Sequence, residues 1–476
     1  MSDRVRELYL AGAVLGLIVL GLLTEAVSDP VRNPGTPLDA GRHVERAAFC
    51  PQAAAEPGSR TSVAVASATG VELPVDFEQA AFGSLVSPPP PETVELPEGS
   101  FLTRTPTDGA ALNAIGYGGR VVAGVAGTYE DPVEGAGGAR CSEQYAKVWY
   151  FPAGSSALGY DERILLYNPF ADEAVARVTF FTPAGEQGSA SLDDVAVGSG
   201  SWQEINVNEF VKTQKLLSAT VESVRGRVIA WRVLFAKPEE APHGVGLTLG
   251  ASETSDTWYF PEGFIGSGSN QSFTVLNPTE REVTASLSLF TDKKVVQPPD
   301  DRIEDFQSIT LEPETSQEVS LAGLESPAGG TLSHVSALVS TAEGAEIVVE
   351  RTMSLSSGDL DGVAMEIGIT QPGRRWMLAP TVARPVTDAV AVYNPGAAKA
   401  SVNVTLLTAD GPQSPDSLQG VEIRPHLRLQ IPIGAITRKE GAAYAVLTSD
   451  RPVVAERLSS TSSDIADAAG RLVVTE

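Results

Sequence analysis

Three stretches of the chain alternate apolar and polar residues with a period of two and break at the same dipeptide: RILLYNP ends at Pro169, SFTVLNP at Pro278 and AVAVYNP at Pro395. Counted from Asn168, Asn277 and Asn394, apolar side chains stand four and two residues before: Ile164/Leu166, Phe273/Val275 and Val390/Val392. They return eight, ten and twelve residues after: Ala176, Val178, Phe180; Ala285, Leu287, Leu289; Val402, Val404, Leu406. Polar residues such as Ser286, Ser288, Asn403 and Thr405 fill the gaps. One-sided alternation predicts antiparallel strands with one face on a core. The Asn-Pro is expected to punctuate paired strands, because proline holds its predecessor extended and the Asn side chain satisfies turn backbone. Thr182, Thr291 and Thr408, fourteen residues past each Asn, open the next turn.

An aromatic motif precedes each stretch. WYFPAG at Trp149 has a near copy in WYFPEG at Trp258 and a weaker one in WMLAPT at Trp376, at spacings of 258 - 149 = 109 and 376 - 258 = 118 residues. Later in each unit come the strands WQEINV, ITLEPETSQEVSL and VEIRPHLRLQIPI. Two further apolar runs follow, broken by RG, EG or DRP and ending at Arg232, Arg351 and Arg457; the turn residues predict a hairpin. Self-similarity at this spacing, with about seven short strands per unit, predicts an all-β chain of immunoglobulin-like β-sandwich domains. A degenerate fourth copy is expected upstream. AFCP at Ala48–Pro51 stands in place of WYFP, TSVAVASATG in place of the Asn-Pro strand, and ALNAIGYGGRVVAGVAG in place of the hairpin. After Leu458, LSSTSSDIADAAG reads as a loop before a short last strand.

The N-terminus changes the picture from fold to location. Arg4 and Arg6 precede the uncharged run Leu8–Leu23, so the N-terminus is expected in the cytoplasm and the rest outside. An uncleaved anchor is favoured over a cleaved signal peptide, because Thr24-Glu25-Ala26 is a mediocre cleavage site. The expected layout is a cytoplasmic N-terminus (1–7), a transmembrane helix or signal anchor (8–24) and a linker (25–46). Four tandem immunoglobulin-like β-sandwich domains follow: a divergent one (47–146), then 147–256, 257–375 and 376–476, arranged as a rod. In an exported chain the only two cysteines, Cys50 and Cys141, are expected to form a disulfide within the divergent domain. Closing a loop of that length is worth about 4–5 kcal/mol in the chain-entropy view.

Sixty acidic against 34 basic side chains give a net charge of -26, which repels nucleic acid phosphates and keeps a secreted surface soluble. No nucleic acid partner and no cofactor are expected. Trp149, Tyr150, Trp258, Tyr259 and Trp376 are the candidate ligand-facing aromatics, because flat rings beside polar groups stack on sugars; their recurrence at one position argues instead for packing. The Gly-rich GFIGSGSN lacks the lysine of a phosphate loop. His43, His243, His334 and His426 are scattered and show no metal-ligand or nucleophile spacing, and Asp193-Asp194 and Asp300-Asp301 read as solvated loops. Arg232, Glu350-Arg351 and Glu456-Arg457 recur where one unit meets the next, so they are expected to form an ion pair or hydrogen bonds to loop carbonyls at the domain junctions.

Together the N-terminal anchor, W-x-F-P-x-G, the Asn-Pro strand, the V-V-x-E-R end and the cysteine-bearing first unit resemble an uncharacterised family of actinobacterial membrane-anchored proteins with tandem β-sandwich domains. The resemblance spans about residues 45–476 and implies location and architecture, with no catalytic residue. The reading is a noncatalytic, membrane-anchored cell-envelope structural or interaction protein with an unknown envelope protein or glycan as partner. The alternative is a glycan-binding or accessory module for envelope polysaccharide assembly, which requires exposed tryptophans; a hydrolase would need two facing acids in a deep pocket.

Overall fold

All fifteen apolar positions aligned on the three Asn residues are buried, none more than 4% exposed, so the alternation does report the core-facing side of real strands. The computed structural model describes residues 46–473 apart from 53–58, 83–89, 108–109, 238, 240–242, 327–331, 358–359, 442 and 463. These belong to one compact unit, 44–476. The expected span at 8–24 lies outside the described residues, and no helix among them is long and apolar enough to cross a membrane.

The chain is nearly all β, and one strand order occurs four times. In the first segment (46–142) it runs Phe101–Arg104, Arg60–Ser67, Val121–Tyr129, Gly135–Arg140. In the second (148–251) the matching strands are Ser201–Asn206, Tyr160–Asn168, Ile229–Ala236 and Gly244–Leu249. In the third (257–369) they are Thr315–Ser320, Ser269–Asn277, Val348–Ser357 and Leu360–Ile367. The fourth (373–473) uses Arg428–Pro432, Thr387–Tyr393, the second half of Tyr444–Ser460, and Ile465–Ala469. A second layer faces each of these; in the second segment it holds Val148–Phe151, Ser218–Arg225 and Ala174–Thr182. Apolar side chains from both layers fill the space between, as in a β-sandwich.

Two sequence expectations fail in the same way. The Asn-Pro does not separate paired strands: Tyr160–Asn168 and Ala174–Thr182 lie in opposite layers. The RG turn does not make a hairpin either, because Ser218–Arg225 pairs with Ala174–Thr182 while Ile229–Ala236 pairs with Tyr160–Asn168. Layers stack about 10 Å apart, and the three residues 226–228 reach that far at about 3.3 Å each. The same glycine-bearing turn therefore serves an arch between layers as well as a hairpin within one. LSSTSSDIADAAG is likewise more than a loop, since Ile465–Ala469 is a paired strand within it.

The true hairpins close each segment with a further strand, here labelled β1 (Gly135–Arg140), β2 (Gly244–Leu249), β3 (Leu360–Ile367) and β4 (Ile465–Ala469). β1 packs against β2, β2 against β3, β3 against β4, and β4 back against β1. A rod would leave the first and fourth segments apart; here they meet, and the contacts between segments form a closed cycle. The first two segments also share one core and a short parallel pairing of 201–202 with 81–82.

Candidate interaction sites at the segment junctions

The recurring motifs are spent on packing. Trp149, Trp258 and Trp376 are at most 1% exposed, and each indole Nε1 donates to a carbonyl of its own segment: Val228 at 2.8 Å, Ile347 at 3.0 Å and Val453 at 3.0 Å. That exposure is too small for an open stacking platform, although Trp258 and Trp376 line one cavity at the junctions. The next residue points the other way. Half-buried Tyr150 packs on the core of the third segment, half-buried Tyr259 on that of the fourth, and Met377 on Ala64, Ala66 and Val122 of the first. Phe49, at the same place in the first segment, meets Phe170 of the second with ring centroids 5.9 Å apart.

The motif's third position explains the disulfide. Phe151 and Phe260 lie against Gly250 and Gly368, where a Cβ would fall 2.7 Å from the ring, and Leu378 lies near Gly470, 3.3 Å from where its Cβ would be. In the first segment the corresponding pair is Cys50 and Cys141, which are bonded. A cross-link thus replaces a large side chain seated on a glycine.

Each Asn of the Asn-Pro is fully buried and bonded alike. Its Oδ1 accepts the N–H two residues on (Phe170, Thr279, Gly396, each 3.0 Å). Its Nδ2 donates to the carbonyl four residues on (Asp172 2.8 Å, Arg281 2.7 Å, Ala398 2.9 Å) and to a neighbouring strand (Val197, Leu311, Ile423). Among side chains only an amide supplies two donors and an acceptor at one site.

Buried ions sit where one segment meets the next. Arg232 pairs with Glu350 of the third segment and lies 3.8 Å from Glu162 of its own. Arg351 pairs with Glu456 at 2.5 Å and with Asp467, both of the fourth. Glu350 and Glu456 also accept the N–H of Ala153 and Glu262, the residues after the motif's proline, at 2.9 and 3.0 Å. At the closing junction Gly124 stands where a Glu would, so Arg457 turns to Asp388 of its own segment at 2.6 Å. In the first segment the arginine position is Val125, and that junction is apolar. Burial pushes the Glu162 carboxyl up to about 7, beyond what Arg232 and the Ser155 N–H offset. Glu262 is also buried, yet Arg428 and His334, at 3.3 and 3.1 Å, hold it down to about 2. His334, scattered in sequence, is therefore part of a cluster.

One carboxylate joins all four segments. Asp464, just before β4, accepts the N–H of Ala136 in β1 (3.0 Å) and of Val245 in β2 (2.7 Å) on Oδ2. Its Oδ1 accepts Val363 of β3 (2.9 Å) and Ile465 of β4 (2.8 Å). Burial pushes its pKa well above the usual carboxylate value, and those four N–H bonds act against it. The matching residues of the other segments are Gly135, Gly244 and Gly362; a Cβ on the first two would fall 2.5 Å from the Asp464 carboxylate and on the third closer still. Sequence reading missed Asp464 because Ser, Thr and Asp around it read as a loop. The available signal was register: G-A-G, G-V-G, G-V-A and D-I-A align once the last strands are superposed.

Open space remains at two junctions. Between the second and third segments a cavity of about 400 Å3 is lined by Tyr160, Lys215, Asn270, Glu318, Thr352 and Ser354. Between the third and fourth, one of about 460 Å3 is lined by Lys293, Lys294, His334, Arg428 and Gln430. Asp193 lies 4.0 Å from Arg177 and Asp300-Asp301 starts a short 3-10 turn; among the described residues no group of His, Cys, Asp and Glu is placed to hold a metal.

A family of unknown function (DUF5719) matches residues 116–261 and 248–470, and the chain belongs to it. No curated protein matches. Among solved structures, the crystal structure of Thermotoga maritima 1070 is 17% identical over 22% of this chain and 98% of that one, at a TM-score of 0.19. Native E. coli alpha-2-macroglobulin is 9% identical over 84% of this chain and 28% of its own, at 0.13. Streptomyces avermitilis alpha-L-rhamnosidase complexed with L-rhamnose is 10% identical over 80% and 53%, at 0.11. Scores this low carry no argument about fold or activity.

Proposed function

We propose that this member of the family is a noncatalytic, membrane-anchored, extracytoplasmic scaffold: four immunoglobulin-like β-sandwiches closed on one another, with ligand- or partner-binding surfaces at their junctions. The observation that carries this reading is the use of every recurring motif residue. The tryptophans and asparagines are buried within segments, and the Arg–Glu pairs and Asp464 tie segments together. Residues of that kind in a catalytic centre would converge on a cavity instead. The apolar run Leu8–Leu23 after Arg4 and Arg6 supports the anchor and the exported side. The direct experiment is a binding screen of the full chain in detergent against purified envelope proteins and polymers, alongside turnover assays on the polymers. Saturable binding without turnover supports the scaffold, whereas polymer cleavage overturns it.

A second reading, glycan binding, rests on the cavity between the second and third segments. Tyr160 borders it, with Asn270, Thr352 and Ser354 as hydroxyl and amide partners, and the buried Ser354 Oγ has no hydrogen-bond partner among the described residues. An aromatic edge beside such groups suits a sugar ring. Replacement of Tyr160 by Ala should abolish glycan retention at unchanged melting temperature; retention by the folded variant refutes this reading.

A further inference from the structure

The closed cycle leaves a cavity to which all four segments contribute, at the ends of β1–β4 away from Asp464. Its volume is about 340 Å3, and its polar lining is Arg120 and Arg140 of the first segment, Gln144, Ser252 and Glu253, and Thr370 and Gln371 just past the third, with Trp258 and Trp376 among the apolar lining. Most of these groups are already paired. Arg120 donates through Nε and Nη2 to Glu143 at 2.9 and 2.6 Å, Gln144 donates to Ser252 at 2.7 Å, and Thr370 donates to Glu253 at 3.0 Å.

Arg140 differs. It makes no side-chain hydrogen bond or ion pair among the described residues, and its buried Nε is unsatisfied. The corresponding residues of β2 and β3 are Leu249 and Ile367, so the fold at this position asks for an apolar side chain. A half-buried, unpaired guanidinium costs stability that an apolar residue would not. Nothing in the junction chemistry described above uses it, in contrast to Arg232, Arg351 and Arg457.

We propose that this cavity is a binding site for a small oxyanion, a carboxylate or phosphate group, with Arg140 as its cationic anchor. A guanidinium fork matches either group in a two-bond geometry. Gln371 adds a neutral amide donor to the lining, whereas the Thr370 hydroxyl is already given to Glu253. Glu253 lines the same space and keeps its charge, but it is exposed; Glu143 is neutralised by Arg120, so Arg140 is the cation of this lining without a carboxylate partner among the described residues. The size admits a ligand at the small end of the usual range, which is about 300–1,000 Å3. In a chain of net charge -26, an anion reaches this point against the overall field, so the site selects by local pairing.

The test is titration calorimetry of the full chain in detergent with inorganic phosphate and, separately, acetate, using chloride at matched ionic strength as the baseline. Saturable binding of phosphate alone identifies a phosphate site, of acetate alone a carboxylate site, and of both a general oxyanion site; each supports the proposal if Arg140→Leu weakens it by about tenfold or more. Arg140→Leu copies β2, so it should fold, which its melting temperature verifies. Arg140→Lys should retain part of the affinity. Absence of saturable binding of both anions, or binding unchanged in a folded Arg140→Leu chain, overturns the proposal.

Discussion

Asp464 Oδ2 accepts the backbone N–H of Ala136 at 3.0 Å, across 328 residues of sequence. With Val245 on the same oxygen and Val363 and Ile465 on the other, one side chain satisfies an amide from every segment. An aspartate in the fourth segment with glycines in the other three lets a single carboxylate occupy the point where the strands converge. Asp464→Ala strips the acceptor from four amides, and each unmet buried donor costs about 1–3 kcal/mol. The expected loss is at least about 3 kcal/mol by denaturant unfolding. Asp464→Asn should lose less, because the amide keeps one accepting oxygen.

The buried pairs behave differently when halved than when removed. Arg351→Met leaves Glu456 and Asp467 without their cation, which should cost about 3–5 kcal/mol. Arg232→Met leaves Glu350 and Glu162, and Glu162 already favours its neutral form, so the cost should shrink as pH falls through about 7. A double variant, Arg232→Met with Glu350→Gln, should recover part of the loss. Double-mutant cycles at two pH values check both statements.

Two glutamates one segment apart predict opposite pH slopes. Glu262 is depressed from 4.5 to about 2, so its contribution is complete above about 4.5 and is lost as pH falls toward about 2. Glu162 is raised from 4.5 to about 7, so the folded chain holds the extra proton and loses stability as pH rises from about 4.5 through 7. Each shift corresponds to about 3 kcal/mol at 1.36 kcal/mol per unit. Glu262→Gln should flatten the acid limb of the stability–pH curve, and Glu162→Gln the limb above about 5, in urea unfolding across pH 2–8.

The aromatic motif should behave as core. Trp149→Ala is expected to destabilise by about 3–5 kcal/mol, and Asn277→Ala by about 2 kcal/mol as three carbonyls and one amide lose their partner. Neither should change ligand affinity in conditions where the variant is folded; calorimetry and binding on the same sample decide.

For the first segment, Cys50→Phe with Cys141→Gly copies the Phe151–Gly250 arrangement. Reductant should lower the melting temperature of the native chain and leave that of the double variant unmoved.

Much of this was legible from sequence because each motif does one local job. The strand period followed from a one-sided core, the Asn-Pro turn from side-chain chemistry, and the Arg–Glu pairs from recurrence at unit ends. What sequence did not show is long-range. An RG turn looks the same whether the chain stays in one layer or crosses to the other. Asp464 carries no local signal, since its four donors come from four segments, and Arg140 stands out only when β1 is superposed on β2 and β3.

The central claim is that the first and fourth segments close through Asp464, and amide hydrogen exchange tests it most directly. Protection of the Ala136 N–H should be high in the native chain and fall sharply in Asp464→Gly, together with Val245 and Val363, under conditions where the Trp149 and Trp258 strands stay protected. Exchange at Ala136 that is indifferent to the substitution would contradict closure and leave the segments as a simple series.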